Sequence, residues 1–220
     1  MTADIAHELR SPLSVLAGYA EALSEGKLPG TPETYEILNQ ETRHLSRLVD
    51  DLRTLSLADA GELPLLRSPI SPHEILNRAV ARQAVAAEQR GVTIGVQVEN
   101  NLPTIDVDSE RIAQVLDNLL SNALRYTPAG GEIYLCARRS GQEVALEVRD
   151  TGSGISPEDL PYVFDRFYRG DKARRSSGES GLGLAIARSI ILAHGGSIQV
   201  DSKPGKGAVF TIQLQAASAP

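Results

Sequence analysis

The chain of 220 residues has little cysteine and no long apolar run. Its one cysteine, Cys136, excludes an intramolecular disulfide and leaves the redox compartment open. No apolar stretch approaches the roughly 20 residues of a transmembrane helix, and no signal peptide is visible. A net charge of −6 argues against broad nucleic-acid binding, which needs a basic surface. The length and the hydrophobic fraction of 41% predict one large or two small globular domains.

Residues 1–60 have the apolar spacing of two amphipathic helices. The two stripes consist of Ile5, Leu9, Pro12, Leu16, Tyr19 and Leu23, and of Tyr35, Leu38, Thr42, Leu45, Val49 and Leu52. Steps of three and four are typical of coiled-coil seams. Between the stripes, SEGKLPGTPE predicts a turn, with Thr31 as the N-cap and Pro32 as the first helical residue. We expect an antiparallel hairpin whose apolar stripe is covered by a second copy in a four-helix bundle, or alternatively by the chain's own C-terminal half.

A glycine- and proline-containing linker at 61–70 separates the hairpin from a second predicted domain at 71–220. In that domain, helices are predicted at 71–90, 108–127 and 181–196, and strands at 92–99, 131–139, 143–150, 197–203 and 208–215. Ser140-Gly141 and Pro204-Gly205 join neighbouring strands as hairpins. Helices mixed with strand pairs predict an α/β sandwich with helices on one face of a mixed sheet.

Polar side chains recur on one face of the predicted helix at 108–127. Asn118 and Asn122 lie four residues apart, with Arg125 three further along, so the two amides share a face. Amide oxygens suit a hard cation such as Mg²⁺, which usually comes with phosphates. Two solvent-exposed asparagines without a ligand are the alternative interpretation of this pair taken alone.

Two glycine-rich turns follow. Asp150 ends a predicted strand before glycines at 152 and 154, a turn in which backbone can approach a flat ligand while the carboxylate accepts its hydrogen bond. A simple hairpin turn explains the same residues. The segment GESGLGLAIA at 178–187 precedes a helix, and a helix N-terminus after glycines favours phosphate.

Five segments together carry a resemblance to a known family. They are HELRSPL (7–13), QVLDNLLSNALRYT (114–127), DTGSGI (150–155), VFDRFYR (163–169) and GESGLGLAI (178–186). Their order resembles the H, N, G1, F and G2 boxes of the sensor histidine kinases of two-component systems, over almost the whole chain. The resemblance implies a HisKA-type dimerisation and phosphoacceptor hairpin, followed by a Bergerat-type ATP-binding domain of the GHKL class, the fold of gyrase and heat-shock chaperone ATPases.

The same resemblance implies a protein-histidine kinase that phosphorylates its own His7 with ATP and then transfers the phosphoryl group to an aspartate of a response regulator. It gives Glu8 the role of base and orienter for the imidazole. Ser11 stands where the family commonly has Thr or Asn for phosphatase activity, and that activity stays open. His7 lies about 200° around the helix from Ile5 and Leu9 and is expected to point outward, where a neutral ring nitrogen can act as nucleophile.

For the nucleotide, the resemblance implies an adenine contact at Asp150, a Mg²⁺ contact at Asn122, and phosphate contacts at Asn118 and Arg125. The other implied nucleotide-binding residues are Tyr126, Gly152, Gly154, Ile155, Gly178, Gly181, Leu182, Gly183 and Leu184. The glycines are expected to let backbone come close to the nucleotide.

The implied partners are a second copy of the chain and a receiver domain, without nucleic acid. We expect a cytoplasmic portion of a longer parent, with an upstream sensor and attachment to the cell membrane. Two other functions are alternatives: a catalytically silent signalling scaffold, and a serine kinase or ATPase on the same fold. The intact Asn118, Asn122 and Asp150 argue against the first, and His7 in an H box argues against the second.

The remaining histidines and the cysteine are not spaced as metal ligands. His194 is predicted to end a helix, where a cationic ring favours the helix dipole. Cys136 lies in a predicted strand and is expected to be a small packing residue.

Overall fold

The computed structural model describes residues 2–170 and 180–217. Its elements are α1 (Thr2–Ser24), α2 (Pro32–Asp59), β1 (Ser68–Ile70), α3 (Pro72–Arg90), β2 (Thr93–Val98), β3 (Ile105–Val107), α4 (Ser109–Tyr126), β4 (Glu132–Ser140), β5 (Glu143–Asp150), a 3₁₀ turn (Leu160–Tyr162), α5 (Gly183–Ala193), β6 (Ser197–Ser202) and β7 (Ala208–Gln215). A helical hairpin followed by an α/β sandwich is confirmed. In this part of the chain, no helix combines the length and the apolarity needed to cross a bilayer.

The turn between α1 and α2 matches its prediction. The Oγ1 of Thr31 accepts the N–H of Thr34 at 3.4 Å, and Pro32 is the first residue of α2. A capped N-terminus and a proline whose missing N–H is not needed both favour a helix start here.

Only three of the six residues predicted for the apolar stripe of α2 are half-buried, and the other three are exposed. The buried or half-buried row is Thr34, Leu38, Leu45, Leu48, Leu52 and Leu55. Tyr35 and Val49 are 53% and 52% exposed, and Thr42 is also exposed. The apolar stripe is wider than one neighbouring helix can cover, so a single hairpin buries one edge of it and exposes the other.

The C-terminal half of α2 packs against the second domain. Leu48 and Leu55 are each 2% exposed and join the main core, with Leu9 of α1 packed against it. The principal contact of α2 outside the hairpin is with α5. The chain's own second domain therefore covers part of the stripe, as one of the two alternatives expected.

The main sheet has five strands in the order β2-β4-β5-β7-β6, and β2 pairs parallel to β4 while the other pairs are antiparallel. Ile133, Leu135 and Ala137 of β4 face the helices and are at most 2% exposed, whereas Tyr134 and Cys136 on the other face are half-buried. This alternation confirms the mixed sheet with helices on one face and places Cys136 on the face away from the helices, outside the main core.

The face of the sheet away from the helices carries a buried carboxylate. Glu147 is 3% exposed and accepts the Nε–H groups of Arg138 at 2.9 Å and Arg149 at 2.8 Å. Burial acts to raise the pKa of Glu147, but the bonds from Arg149 and Arg138 outweigh it, and the net pKa is lowered. The carboxylate therefore joins β4 and β5 through charge-assisted bonds.

Part of the predicted linker belongs to the second domain. β1 pairs antiparallel with β3, which brings Ser68 opposite Val107 and Ile70 opposite Ile105. The N–H of Leu66 also donates to Oδ2 of Asp108 at 2.9 Å. The linker prediction at 61–70 therefore missed a strand, because three residues are too few for a periodic pattern.

α4 begins at Asp108, whose Oδ1 accepts the N–H groups of Glu110 and Arg111 at 3.1 Å each. Burial acts to raise the pKa of Asp108, but the three backbone N–H groups bonded to it outweigh that effect and lower it. The helix buries an apolar row that consists of Ile112, Val115, Leu116, Leu119, Leu120 and Ala123. The opposite face of α4 is thereby left for polar residues.

The cationic state predicted for His194 is wrong. The ring is 4% exposed, and its Nε2 accepts the N–H of Asp108 at 3.1 Å, so Nδ1–H donates to the carbonyl of Ile190 at 2.8 Å. Burial lowers the pKa of His194. The ring is a neutral connector between the end of α5 and the start of α4, because its acceptor role excludes protonation.

Candidate active site

The polar face of α4 runs between two glycine-rich segments. Asn118, Asn122 and Tyr126 lie at steps of four residues, all half-buried, so they form one row about 12 Å long. The guanidinium carbon of Arg125 lies 5.7 Å from the centroid of the Tyr126 ring. The shared face predicted for the two asparagines is thus present.

At one end of this row lies Asp150. Its Oδ1 accepts the N–H groups of Gly152 at 2.8 Å and Ala208 at 3.3 Å. No hydrogen bond from the described residues reaches its other oxygen. Burial raises the pKa of Asp150, and the two N–H groups offset this only in part. The carboxylate is therefore held by backbone through one oxygen, and its second oxygen can accept from a ligand.

The Asp150 turn is joined to the end of α4. The N–H of Ser153 donates to the carbonyl of Tyr126 at 3.1 Å, and the N–H of Ile155 donates to Oγ of Ser202 at 2.9 Å. The acidic turn is thus fixed beside the last residue of the polar row.

Gly154 allows two turns of the protein to pack closely, which differs from the predicted role of letting backbone approach the nucleotide. Its φ is +68°, and a Cβ there would lie 2.0 Å from the carbonyl oxygen of Lys203. The glycine lets the β6–β7 turn approach the Asp150 turn, where the N–H of Gly207 donates to the carbonyl of Gly152 at 3.0 Å. The sequence predicts the β6–β7 turn only as a hairpin connection. The closely spaced glycines in PGKG at 204–207 were the available signal.

The start of α5 lies at the other end of the row. Nδ2 of Asn118 donates to the carbonyl of Gly183, the first residue of α5, at 3.0 Å. Leu182 is fully buried and Leu184 packs against the core, so both anchor this helix start. The first N–H groups of a helix have no intrahelical acceptor, and the dipole favours an anion there. Gly178 lies outside the described residues.

The F-box segment packs between this site and the hairpin. Phe164 contacts Phe210 edge-on with ring centroids 6.2 Å apart and packs against the main core. The N–H of Phe167 donates to the carbonyl of Gly181 at 3.0 Å. The hydroxyl of Tyr168 donates to Oδ1 of Asp159 at 2.5 Å.

His7 is exposed on α1, as its position on the helix predicts, and Ser11 one turn later is exposed as well. The carboxylate of Glu8 lies 3.5 Å from the guanidinium of Arg169, and both side chains are about three-quarters buried, with 25% and 24% exposed. The structure therefore brings the H box and the end of the F box together.

No described group of three or more His, Cys, Asp and Glu side chains could hold a metal ion. A cavity of about 380 Å³ is lined by Arg67, Asp106 and His194 among others, and it includes none of the predicted site residues. The predicted site residues therefore lie outside this cavity, along the polar face of α4.

Comparison with known proteins supports the family resemblance of both halves of the chain. The family model described as histidine kinase-, DNA gyrase B- and HSP90-like ATPase matches residues 107–218, and that of the His Kinase A (phospho-acceptor) domain matches residues 1–61. The signal transduction histidine-protein kinase BaeS of Escherichia coli is 40% identical over 216 residues, which are 96% of this chain and 45% of BaeS. The chain thus spans less than half the length of this relative.

Solved structures give the same result. The histidine kinase AdeS of Acinetobacter baumannii superposes with a TM-score of 0.82 at 28% identity, covering 96% of this chain and 98% of that one. The histidine kinase ThkA, solved in complex with the response regulator protein TrrA, superposes with a TM-score of 0.77 at 25% identity, covering 99% and 61%. This chain therefore belongs to the sensor histidine kinases of two-component systems and comprises a phosphoacceptor hairpin and an ATPase domain of that family.

Proposed function

We propose that this chain phosphorylates its own His7 with ATP and passes the phosphoryl group to an aspartate of a response-regulator receiver domain. The observation that carries the proposal is the polar face of α4, which has a backbone-held carboxylate at one end and a helix N-terminus at the other. Such a face suits a ligand with a hydrogen-bonding base at one end and anionic phosphates at the other.

The polarity of the row orients the nucleotide. The free oxygen of Asp150 accepts a hydrogen bond from the amino group of adenine at the Tyr126 end. The phosphates then lie toward Asn118 and the first turn of α5, where the helix dipole favours them. The family resemblance also implies a phosphate contact at Arg125, whose guanidinium lies beside the Tyr126 ring at the adenine end of the row, so this contact requires its side chain to turn toward Asn122.

The donor set fits Mg²⁺. Asn122 is half-buried in the middle of the row and offers a single amide oxygen. Mg²⁺ commonly keeps waters and substrate phosphates as its other ligands, so one protein oxygen suffices. When bound, the ion would neutralise phosphate charge, and Asn122 would hold it.

The chemistry at His7 requires an accessible ring. A ring nitrogen attacks the γ-phosphorus, the bond from that phosphorus to the β–γ bridging oxygen breaks, and ADP leaves. The proton on the other ring nitrogen is stabilised by Glu8. The N–P bond of the product is labile, and an aspartate carboxylate of the receiver domain then takes the phosphoryl group. Because this transfer depends mainly on positioning and charge, the exposed ring must reach the α4 face.

A homodimer is part of the proposal. The hairpin leaves apolar side chains exposed at Leu13, Val15, Tyr35, Ile37 and Val49. A second hairpin covers such a surface in a four-helix bundle. Val49→Asp should then lower the molar mass measured by light scattering from dimer toward monomer, whereas Val85→Asp, on the exposed face of α3, should leave it unchanged. We also propose, from the family resemblance alone, that the parent holds this portion on the cytoplasmic side of a membrane.

The direct test is incubation with γ-labelled ATP. Acid-labile, base-stable label that disappears in His7→Gln and persists in His73→Gln supports the proposal. Bound nucleotide without label would favour the silent scaffold, and acid-stable label would favour a serine kinase. Transfer is measured by adding candidate receiver domains and following label onto them.

Asn122→Ala should abolish labelling and weaken Mg²⁺-dependent ATP binding. Ser121→Ala, one residue away on the exposed side of α4, is the matched control and should leave both unchanged. Unaltered Mg²⁺-ATP affinity in Asn122→Ala would remove Asn122 from the site.

A further inference from the structure

Four consecutive residues, Arg166 to Arg169, connect three parts of the molecule. The guanidinium of Arg166 pairs with Asp59 at the end of α2, and that of Arg169 lies 3.5 Å from the carboxylate of Glu8 in α1. Between them, the N–H of Phe167 donates to the carbonyl of Gly181 at 3.0 Å. The hairpin is thus tied at two points to a segment that also contacts the loop before α5.

The pair between Arg169 and Glu8 is more than a surface contact. Its side chains are 24% and 25% exposed, compared with 59% and 49% for the pair of Arg78 and Glu74 inside α3. Partial burial reduces the screening of the Arg169 pair by water and salt, although its atoms lie 3.5 Å apart, compared with 2.5 Å in the exposed pair.

This pair engages the carboxylate next to the phosphoacceptor. Oε2 of Glu8 lies 3.5 Å from Nη2 of Arg169, and a carboxylate oxygen that is engaged by a cation of the second domain is less available to a neighbouring imidazole. Resting on the proposed function, we propose that Arg169 is a positioning residue that withholds Glu8 from His7. The arrangement is therefore a resting state, and phosphorylation of His7 requires this pair to open.

The backbone around Phe167 relates the pair to the nucleotide site. Phe167 has a φ of 61°, a left-handed conformation that is unusual for a bulky residue. Gly181 has a φ of +67°, and a Cβ on it would lie 2.9 Å from the carbonyl carbon of Phe167. Gly181 lies just before the start of α5, beside Asn118. A phosphate that displaces Gly181 therefore also acts on the backbone of Phe167, two residues before Arg169.

The rate test compares Arg169→Gln with the wild-type chain at saturating ATP. Loss of a partly buried ion pair should raise the initial rate of His7 labelling about fivefold. Arg169→Lys keeps the charge and should stay within about twofold of wild type, as should Arg78→Gln, which removes a pair confined to α3. A rate at or below wild type in an Arg169→Gln variant that melts as wild type does would overturn the inference.

A second variant protects the test against misfolding of the first. Asp59→Asn removes the other tie from the hairpin side without altering a residue of the proposed site, and it should also accelerate labelling. If neither variant is faster than wild type while the wild type is labelled, the inference fails and the proposed function stands. If wild type is never labelled at His7, the proposed function itself fails.

A spectroscopic measurement reports on Glu8 without any turnover. In ¹⁵N-histidine spectra of the nucleotide-free chain, Arg169→Gln should shift the ring nitrogens of His7, because the released carboxylate can bond to them. The signal is assigned by its absence in His7→Gln, and the signal of His73 should not move. Unchanged His7 nitrogens in Arg169→Gln would contradict the withholding of Glu8.

Discussion

Asp150 is the residue at which nucleotide recognition can be separated from folding. In Asp150→Asn, the remaining amide oxygen can still accept the N–H groups of Gly152 and Ala208, now 2.8 and 3.3 Å from Oδ1. The second oxygen becomes an NH₂ group, which opposes the amino group of adenine. Hydrogen bonds to charged groups contribute about 1.5–3 kcal/mol, so we expect the Kd for ATP to rise about 10- to 150-fold.

Stability should respond differently. Because burial raises the pKa of Asp150, the folded chain holds its proton more tightly than the unfolded chain. The stability contributed by this group is present below the ordinary carboxyl pKa and is lost as the pH rises through the raised value. At neutral pH, Asp150→Asn removes the cost of burying a charged carboxylate. The two hydrogen bonds from backbone N–H groups weaken by about 1 kcal/mol at the same time. We expect Tm to change by no more than about 4 °C.

The assay is calorimetric titration with ATP and GTP, together with thermal unfolding at pH 7. Asp201→Asn, an exposed carboxyl on β6, is the control and should bind ATP as wild type does. The reasoning is refuted if ATP affinity is retained, or if the affinities for ATP and GTP fall equally. A loss of folding that accompanies the loss of binding would also refute it.

The remaining predictions concern stability and are measured by urea unfolding. Gly154→Ala should destabilise by more than about 2 kcal/mol, because its Cβ would lie 2.0 Å from the carbonyl of Lys203 at a φ of +68°; wild-type stability would contradict the close packing of the two turns. Leu48→Ala should cost about 2–5 kcal/mol, whereas Leu66→Ala should cost less than about 0.5 kcal/mol, since these side chains are 2% and 86% exposed. Equal effects would mean that α2 does not pack on the second domain. Two arginine bonds outweigh burial and lower the pKa of Glu147. Its contribution is present above the ordinary carboxyl pKa of about 4.3 and is lost as the pH falls through the lowered value, so the deficit of Glu147→Gln should shrink below about pH 4. A deficit that does not depend on pH would exclude this origin.

Local patterns in the chain were enough to predict most of the helices and strands. α4 has a cap at Asp108, an apolar row at helical spacing and two asparagines four apart, and each of these is a short-range feature. The strand pairs are marked by alternation and by glycine turns for the same reason. Elements that are too short to show a periodic pattern, such as β1 and β3, could not be predicted in this way.

Contacts between distant residues could not be read in this way. Amphipathic spacing made α2 a helix, but only the packing of the folded chain buried Leu48 in the main core and left Val49 exposed. A histidine at a helix end suggested a cation, and the backbone N–H of Asp108 made it a neutral acceptor instead. The order of the boxes implies, by family resemblance, which residues accept the phosphoryl group and bind nucleotide, whereas the pairing of Glu8 with Arg169 exists only because folding brings two distant parts of the chain together. Periodicity and capping depend on neighbours within about two helical turns, while burial and ion pairing depend on which surfaces meet.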